Sequence, residues 1–327
     1  MAWATLVYTL GVILWGTYVR ATGSGDGCGR HWPACHGEVV PREPAVETLV
    51  ELAHRVSSGL AWILAAVLAV AVWRAFAPGH RARRAAVAVV VLMTTEALIG
   101  AGVVLLRMVG DNASVARAGW MAGHLLNTFL LMAALGWTVR WTASPEPRRG
   151  PRRVLPLVCL AGLLVVGMGG AVAALGDTLF PAASLAEGLR QDLSPAAHLF
   201  VRLRVFHPLL AIGVGALVLY TAGQAWATWR VPAVRLAAAA VAGVYVLQLG
   251  IGVTNLLLLA PVWMQIVHLL FAHLTWLAVV WLEDAVRAVS APRSHRAPLP
   301  APGSRAGDGP RSAAPDPAPT ARREARP

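Results

Sequence analysis

Residues 51–74 read ELAHRVSSGLAWILAAVLAVAVWR. From Val56 to Trp73 the run holds no charged side chain. A bilayer's hydrocarbon core takes about 20 mostly apolar residues as a helix rising about 1.5 Å per residue. The stretch is long enough to cross, and its polar head carries Glu51, His54 and Arg55. A membrane helix with an imidazole near one end is the unit from which the rest can be read. Seven further runs meet the same criterion: 2–19, 86–106, 119–139, 154–175, 199–223, 236–258 and 263–282. The first lacks a basic head and is long for a signal peptide, which favours a retained helix. The expected fold is therefore an all-α integral membrane protein with eight transmembrane helices.

Composition agrees. Apolar residues make up 57% of the 327 and charged residues 13%. Soluble domains hold about 45–50% and about 25%. Mean hydropathy is +0.60. Such a chain cannot cover a soluble surface, so its first partner is the lipid bilayer. The net charge of +12 comes entirely from arginine, with no lysine. The arginines lie between apolar runs and in the tail, so they report topology and give no sign of nucleic acid. With the N-terminus inside, eleven arginines fall in inner loops and flanks and eight in outer ones; the C-terminal stretch from Arg287 adds eight more inside. That bias places both termini in the cytoplasm of a cell-membrane protein. Residues 291–327 are mostly Pro, Ala, Arg, Ser and Gly, a composition expected to form a disordered cytoplasmic tail.

The helices fall into two similar halves, 1–145 and 146–290. Val19-Arg20-Ala21-Thr22-Gly23 lines up with Val172-Ala173-Ala174-Leu175-Gly176, and His54 with His207, both at an offset of 153. Glu96 and Gly100 line up with Gln248 and Gly252 at 152, and His124 with His268 at 144. Four helices per half is an even number, so the repeats share one orientation, an arrangement also found in transporters.

Four histidines recur by repeat position: His54, His124, His207 and His268. Each lies near the outer end of its helix, so all four fall in one layer. Each half offers two imidazoles from two helices at matching depth, the arrangement that bis-histidine haem ligation requires. Hydrogen-bonded interface histidines are the bland reading of any one alone. Zinc is weaker, because no cysteine or second carboxylate joins the set. His273, five residues after His268, faces another side and reads as a supporting or surface residue. His31, His36, His80, His198 and His295 fall in loops or at boundaries and read as solvated. Glu51 shares a helix face with His54 and could move protons or orient a bound group. Glu96 sits mid-helix, where a carboxylate must be protonated, paired or inward-facing. Cys159 reads as a small buried hydrophobe.

These residues resemble one family. Residues 17–40, TYVRATGSGDGCGRHWPACHGEVV, look like the first outer loop of haem A synthases, with their arginine, Thr-Gly-Ser-Gly run, Cys, Trp-Pro and second Cys followed by His-Gly. Glu51-Leu52-Ala53-His54-Arg55 resembles the family's Glu-x-x-His-Arg motif. Phe206-His207-Pro208-Leu209-Leu210-Ala211 and Val267-His268-Leu269-Leu270-Phe271-Ala272 resemble its helix 6 and helix 8 motifs. The resemblance covers about residues 8–285. It implies conversion of haem O to haem A by successive hydroxylations of one ring methyl to a formyl, with water as oxygen source, for cytochrome oxidase biogenesis. It further implies a haem b cofactor on His207 and His268, substrate haem on His54 and His124, and Glu51 as the functional carboxylate. Bis-histidine iron has no open position, so oxidation is expected to begin by taking electrons from the substrate haem. Implied partners are haem O synthase and cytochrome oxidase assembly factors, with self-association as a further possibility. The resemblance also supports a Cys28–Cys35 disulfide in the outer loop, a redox-active dithiol being the alternative. Three departures stand out: Gly29-Arg30-His31 after the first cysteine, Glu96 where glutamine is more usual, and His273 where an acid is common.

A dihaem b-type electron-transfer protein is the main competing reading, and a transporter or haem chaperone with parallel repeats is a third. Neither needs Glu51 or the cysteine loop. A chain truncated after residue 290 should insert and keep full activity; an inserted but inactive truncation would show that the tail is needed.

Overall fold

The computed structural model describes residues 1–143, 150–151 and 153–290. In order these form α1 (Ala2–Ala21), a 3-10 turn (Ser24–Asp26), α2 (Val46–Ala75), α3 (Arg81–Leu105), α4 (Val115–Ala143), α5 (Val154–Leu179), α6 (Leu185–Leu193), α7 (Leu199–Arg204), α8 (Phe206–Thr228), α9 (Pro232–Leu257) and α10 (Val262–Val289). Among the described residues the only β pairing is an isolated bridge between Cys35 and Glu38. Eight helical spans are long and apolar enough to cross a membrane, α7 and α8 together forming the sixth. The all-α, eight-span expectation therefore holds. Arg148, Arg149, Arg152 and the tail expected to be disordered lie outside the described residues.

Several helices run beyond their apolar windows. α2 begins at Val46 and α3 at Arg81, because a helix continues through polar turns that a hydropathy window rejects. The sixth span is interrupted at Val205. Pro208 has no N–H to give the carbonyl of Arg204, so the regular i to i−4 ladder fails there. α6 was not anticipated from hydropathy. It is a short polar helix capped by Ser184, whose side chain accepts from the Glu187 N–H at 3.2 Å.

The helices pack as two rings. α1 touches α2 and α4, and α2–α3–α4 complete the first; α5 touches α8 and α10, and α8–α9–α10 complete the second. α4 and α10 join the rings, and they are the most enclosed spans. Half of the α4 window and 44% of the α10 window are buried, against 17–28% for the other six. Phe129, Leu131, Met132 and Leu135 of α4 meet Trp276, Leu277 and Val280 of α10 in one apolar cluster. Trp276 Nε1 donates to the Phe129 carbonyl at 2.7 Å, and Trp281 Nε1 to the Gly136 carbonyl at 3.3 Å. Toward the far end of the seam, buried Asp284 accepts from Trp141 Nε1 at 3.0 Å and from Arg140 at 3.3 Å.

Gly136 makes this approach possible. An added Cβ would stand 2.9 Å from Leu277 Cδ2 and 3.3 Å from Trp281 Nε1. Small residues at helix crossings are how membrane bundles gain close van der Waals contact. Gly136→Val should push α4 from α10 and cost about 1–3 kcal/mol by overpacking. Thermal unfolding in detergent measures this; an unchanged midpoint would mean that the seam is slack.

Candidate functional site

The four repeat-matched histidines lie at similar depth. His54, His124, His207 and His268 fall eight, nine, eight and six residues after Val46, Val115, Leu199 and Val262. At about 1.5 Å per residue that is roughly 9–14 Å from the start of each span. All four rings are partly exposed.

His207 and His268 face each other. Their ring centroids are 6.2 Å apart with the planes at 88°. Nδ1 of His207 lies 3.2 Å from the Val166 carbonyl of α5. That contact assigns Nδ1 as the N–H and leaves Nε2 free, the usual state of a metal-ligating imidazole. His124 is held in the same way by a stronger partner. Its Nδ1 is 2.8 Å from Glu96 Oε1. Glu96 also accepts from Thr128 Oγ1 and Asn127 Nδ2, both at 2.5 Å, and Asn127 accepts from Thr95 Oγ1 at 2.7 Å. The mid-helix carboxylate of α3 is thus fully partnered inside the first ring. Nδ1 of His54 and of His268 are buried without a hydrogen-bond partner among the described residues.

Each ring rests against a glycine of a neighbouring helix. Cβ atoms added at Gly16, Gly170 and Gly252 would come within 3.0, 2.9 and 3.1 Å of Cε1 of His54, His207 and His268, and one at Gly100 within 3.8 Å of His124 Nε2. The glycines let the imidazoles swing into the ring interior, where side chains would otherwise block them. Gly16 and Gly170 were not singled out from the sequence, although their spacing of 154 nearly matches that of the histidines.

These residues fit a haem better than a bare ion. Imidazole–metal bonds are about 2 Å long, and two such bonds plus two ring radii span about 6 Å, close to the separation of His207 and His268. Among the described residues no cluster of three or more metal-ligating side chains exists. Two imidazoles alone would bind a free ion poorly, whereas a porphyrin brings its own in-plane nitrogens.

Glu51, the carboxylate expected to move protons or orient a bound group, lies at the buried head of α2. It is 3% exposed. Oε2 accepts the Cys28 N–H at 2.8 Å, and Oε1 pairs with Arg55 Nη2 at 2.5 Å and Nε at 3.1 Å. Arg55 in turn donates to the carbonyls of His31 and Ala34 at 2.6 and 2.8 Å. Glu51 and Arg55 therefore clasp the loop that the Cys28–Cys35 disulfide closes. Both sulfurs are fully buried, and Thr48 Oγ1 ties Gly27 to α2 at 2.6 Å. The i,i+4 spacing of Glu51 and Arg55 was visible in the sequence; the loop carbonyls they hold were not.

Four further histidines have structural work. His273 is not at the surface: it is fully buried, stacked on Phe129 at 4.8 Å, with Nδ1 2.9 Å from the Leu269 carbonyl. His80 and His198 cap α3 and α7 by accepting the N–H of Ala82 and Phe200. His36 meets the Gly27 carbonyl at 2.8 Å. His295 lies outside the described residues. Cys159 is buried beside Thr221 Oγ1 at 3.2 Å.

Fold and site together define a multi-pass membrane protein with paired helix-borne imidazoles. The chain belongs to the COX15-CtaA family, described as "Cytochrome oxidase assembly protein", which it matches over residues 1–280. It is 47% identical over 291 residues to a Thermus thermophilus protein named "Protoheme IX farnesyltransferase", an alignment covering 87% of this chain and 47% of the relative. It is 42% identical over 101 residues to "Heme A synthase" of Alkalihalophilus pseudofirmus, covering 31% of this chain and 34% of the relative. "Heme A synthase" of Bacillus mycoides is 39% identical over 105 residues, covering 32% and 34%. The chain spans about half the length of the first curated relatives it matches.

Glu51→Ala should free the Cys28 amide and Arg55 together. Reduction of the disulfide by a membrane-impermeant thiol should then quicken roughly tenfold or more. Lost activity with an unchanged reduction rate would mean that Glu51 acts on substrate directly.

Proposed function

We propose that this chain is a haem A synthase. Haem O is its substrate in the first ring, between His54 and His124; a haem b cofactor is held in the second, between His207 and His268. The observation that carries the reading is the His207–His268 pair, 6.2 Å apart with one nitrogen anchored on Val166. The family supports it, as do relatives named "Heme A synthase". The reaction takes one ring methyl to a formyl by successive hydroxylations. Each takes its oxygen from water and gives up two electrons and two protons to an external oxidant, and the twice-hydroxylated carbon then loses one water to leave the formyl. The iron of haem b, when bound, supplies a redox centre that can accept electrons.

The chain's own residues orient and enclose. Glu96 fixes the tautomer of His124 and, as an anionic partner, makes Nε2 a stronger donor. Val166 does the same more weakly for His207. Glu51 acts by holding the disulfide loop against the head of α2, beside His54, so we assign it as a positioning residue. The halves 1–145 and 146–290 act as duplicated bundles, with the loop outside the cell membrane and both termini in the cytoplasm. Haem A passes on to cytochrome oxidase assembly. A haem-farnesylating enzyme is the natural donor of substrate, and the likeness to a protein named for that transfer supports such a partner.

The test is His207→Ala and His54→Ala in parallel, each coexpressed with haem O synthase, followed by haem extraction. His207→Ala should lose haem b. His54→Ala should keep haem b and form no haem A. If the unaltered protein carries only haem b at two permanent sites and forms no haem A, the chain is an electron carrier and the enzymatic reading fails.

A further inference from the structure

Arg20 lies at the end of α1, in the first ring, yet its guanidinium belongs to the second. Nη1 donates to the Ala174 carbonyl at 2.9 Å and to Thr178 Oγ1 at 2.7 Å, both on α5. Nη2 donates to Gln265 Oε1 at 2.5 Å, on α10. All three acceptors are uncharged. Among the described residues Arg20 makes no ion pair. The carboxylate whose field reaches it is Asp177. That carboxylate is already bound to Arg204 at 3.0 Å, and Arg204 also holds Asp192 at 2.7 Å. The other charge acting on Arg20 is a second guanidinium, Arg117. Arg117 is 4% exposed, bonded to the carbonyls of Gly110 and Asn112, with a buried Nε that has no partner. Asp177 and Asp192 share the single guanidinium of Arg204, and Asp111 acts on Arg117, so the charges of the region balance; what sets Arg20 apart is that it touches only neutral oxygens. A half-buried guanidinium whose hydrogen bonds all go to neutral oxygens keeps its charge and its remaining N–H groups available to an anion at short range.

The location identifies that anion. Ala174 is one turn beyond Gly170, the glycine against which His207 packs. Gln265 is one turn before His268 on α10. Both steps run towards the same end of the bundle, so the guanidinium sits about one turn, or roughly 5 Å, beyond the imidazole pair. A guanidinium has five N–H donors; three are engaged here, which leaves two for a carboxylate. At the repeat-matched position the second half has Ala173, so that ring has no arginine of its own there.

We propose that Arg20 is an anion-binding residue of the second ring, lent by the first: it takes a propionate carboxylate at the edge of the porphyrin gripped by His207 and His268. The inference rests on the haem reading of that pair. It joins the two rings through the cofactor, because one bound group is then held by imidazoles of α8 and α10 and by a guanidinium of α1. Forked arginine–carboxylate contacts are strong and directional, so Arg20 also sets which edge of the porphyrin faces the disulfide end.

The test compares iron protoporphyrin IX with its dimethyl ester, whose propionates carry no charge. The full-length protein is prepared free of haem and titrated with each in detergent, in the His54→Ala background, so that the second ring is read alone from the absorbance of bis-imidazole iron. Without a change at Arg20, the acid should bind roughly ten- to hundredfold more tightly than the ester. Arg20→Gln should bind the acid only as well as the ester and lose the preference, while Arg20→Lys should keep part of it. Equal binding of acid and ester with Arg20 intact overturns the proposal without need of any variant. So does an Arg20→Gln protein with its disulfide formed that still prefers the acid by the original factor. A preference abolished by inorganic phosphate or by anionic lipid but untouched by esterification would assign Arg20 to those anions and also overturn it. Failure of the underlying haem reading looks different: neither compound would give a bis-imidazole spectrum, or His207→Ala would bind both unchanged.

Discussion

The seam between α4 and α10 is the constraint on which the other arrangements depend. These are the two spans with the largest buried share, and they carry His124 and His268. Lipid supplies no hydrophobic drive for helices to associate, so the seam relies on fit and on hydrogen bonds made inside the bundle. Gly136 gives the fit, and the indole N–H groups of Trp276 and Trp281 give the bonds, each to a carbonyl of α4. His273 and Phe129 stack within the same contact. Because the seam is tight, the depth of one imidazole pair is tied to the depth of the other. Two redox groups one ring apart would keep a constant separation only under that condition.

Within each ring the imidazoles obey the rule that governs all polar groups in hydrocarbon: each must find a partner or be available for one. His207 and His124 satisfy one nitrogen within the protein and leave the other for a guest. The two rings differ in the partner used. A carboxylate behind His124 and a peptide carbonyl behind His207 make the imidazoles unequal donors. The disulfide loop adds a third layer. Its backbone amide and carbonyls are held by Glu51 and Arg55, so a charged pair at the head of α2 serves as an anchor for a segment with little regular structure.

Much of this was legible in the amino-acid order. Eight spans could be counted because hydrocarbon thickness imposes a length, and the four histidines could be grouped because they recur with the repeat offset. Glu96 could be marked as needing a partner, since a mid-helix charge is expensive anywhere in the bilayer. Other features stayed hidden. α6 is too polar and short for a hydropathy window. The true starts of α2 and α3 lie in charged turns. The partners of Glu51 stayed hidden because nothing in a linear motif says which backbone N–H groups will fold onto it. His273 looked peripheral because its distance from His268 fixes a helix face but not what covers that face.

Sequence by itself determined the number of spans and the all-helical class, because these follow from length and polarity along one chain. Only the tertiary structure decided which helices touch, which nitrogen of His124 and of His207 is left free, and that Arg20 reaches from α1 into the opposite ring. Those outcomes depend on contacts between residues from about thirty to more than a hundred and fifty positions apart, where a glycine at a crossing or a single carbonyl sets the geometry. Local pattern carries no record of such distances.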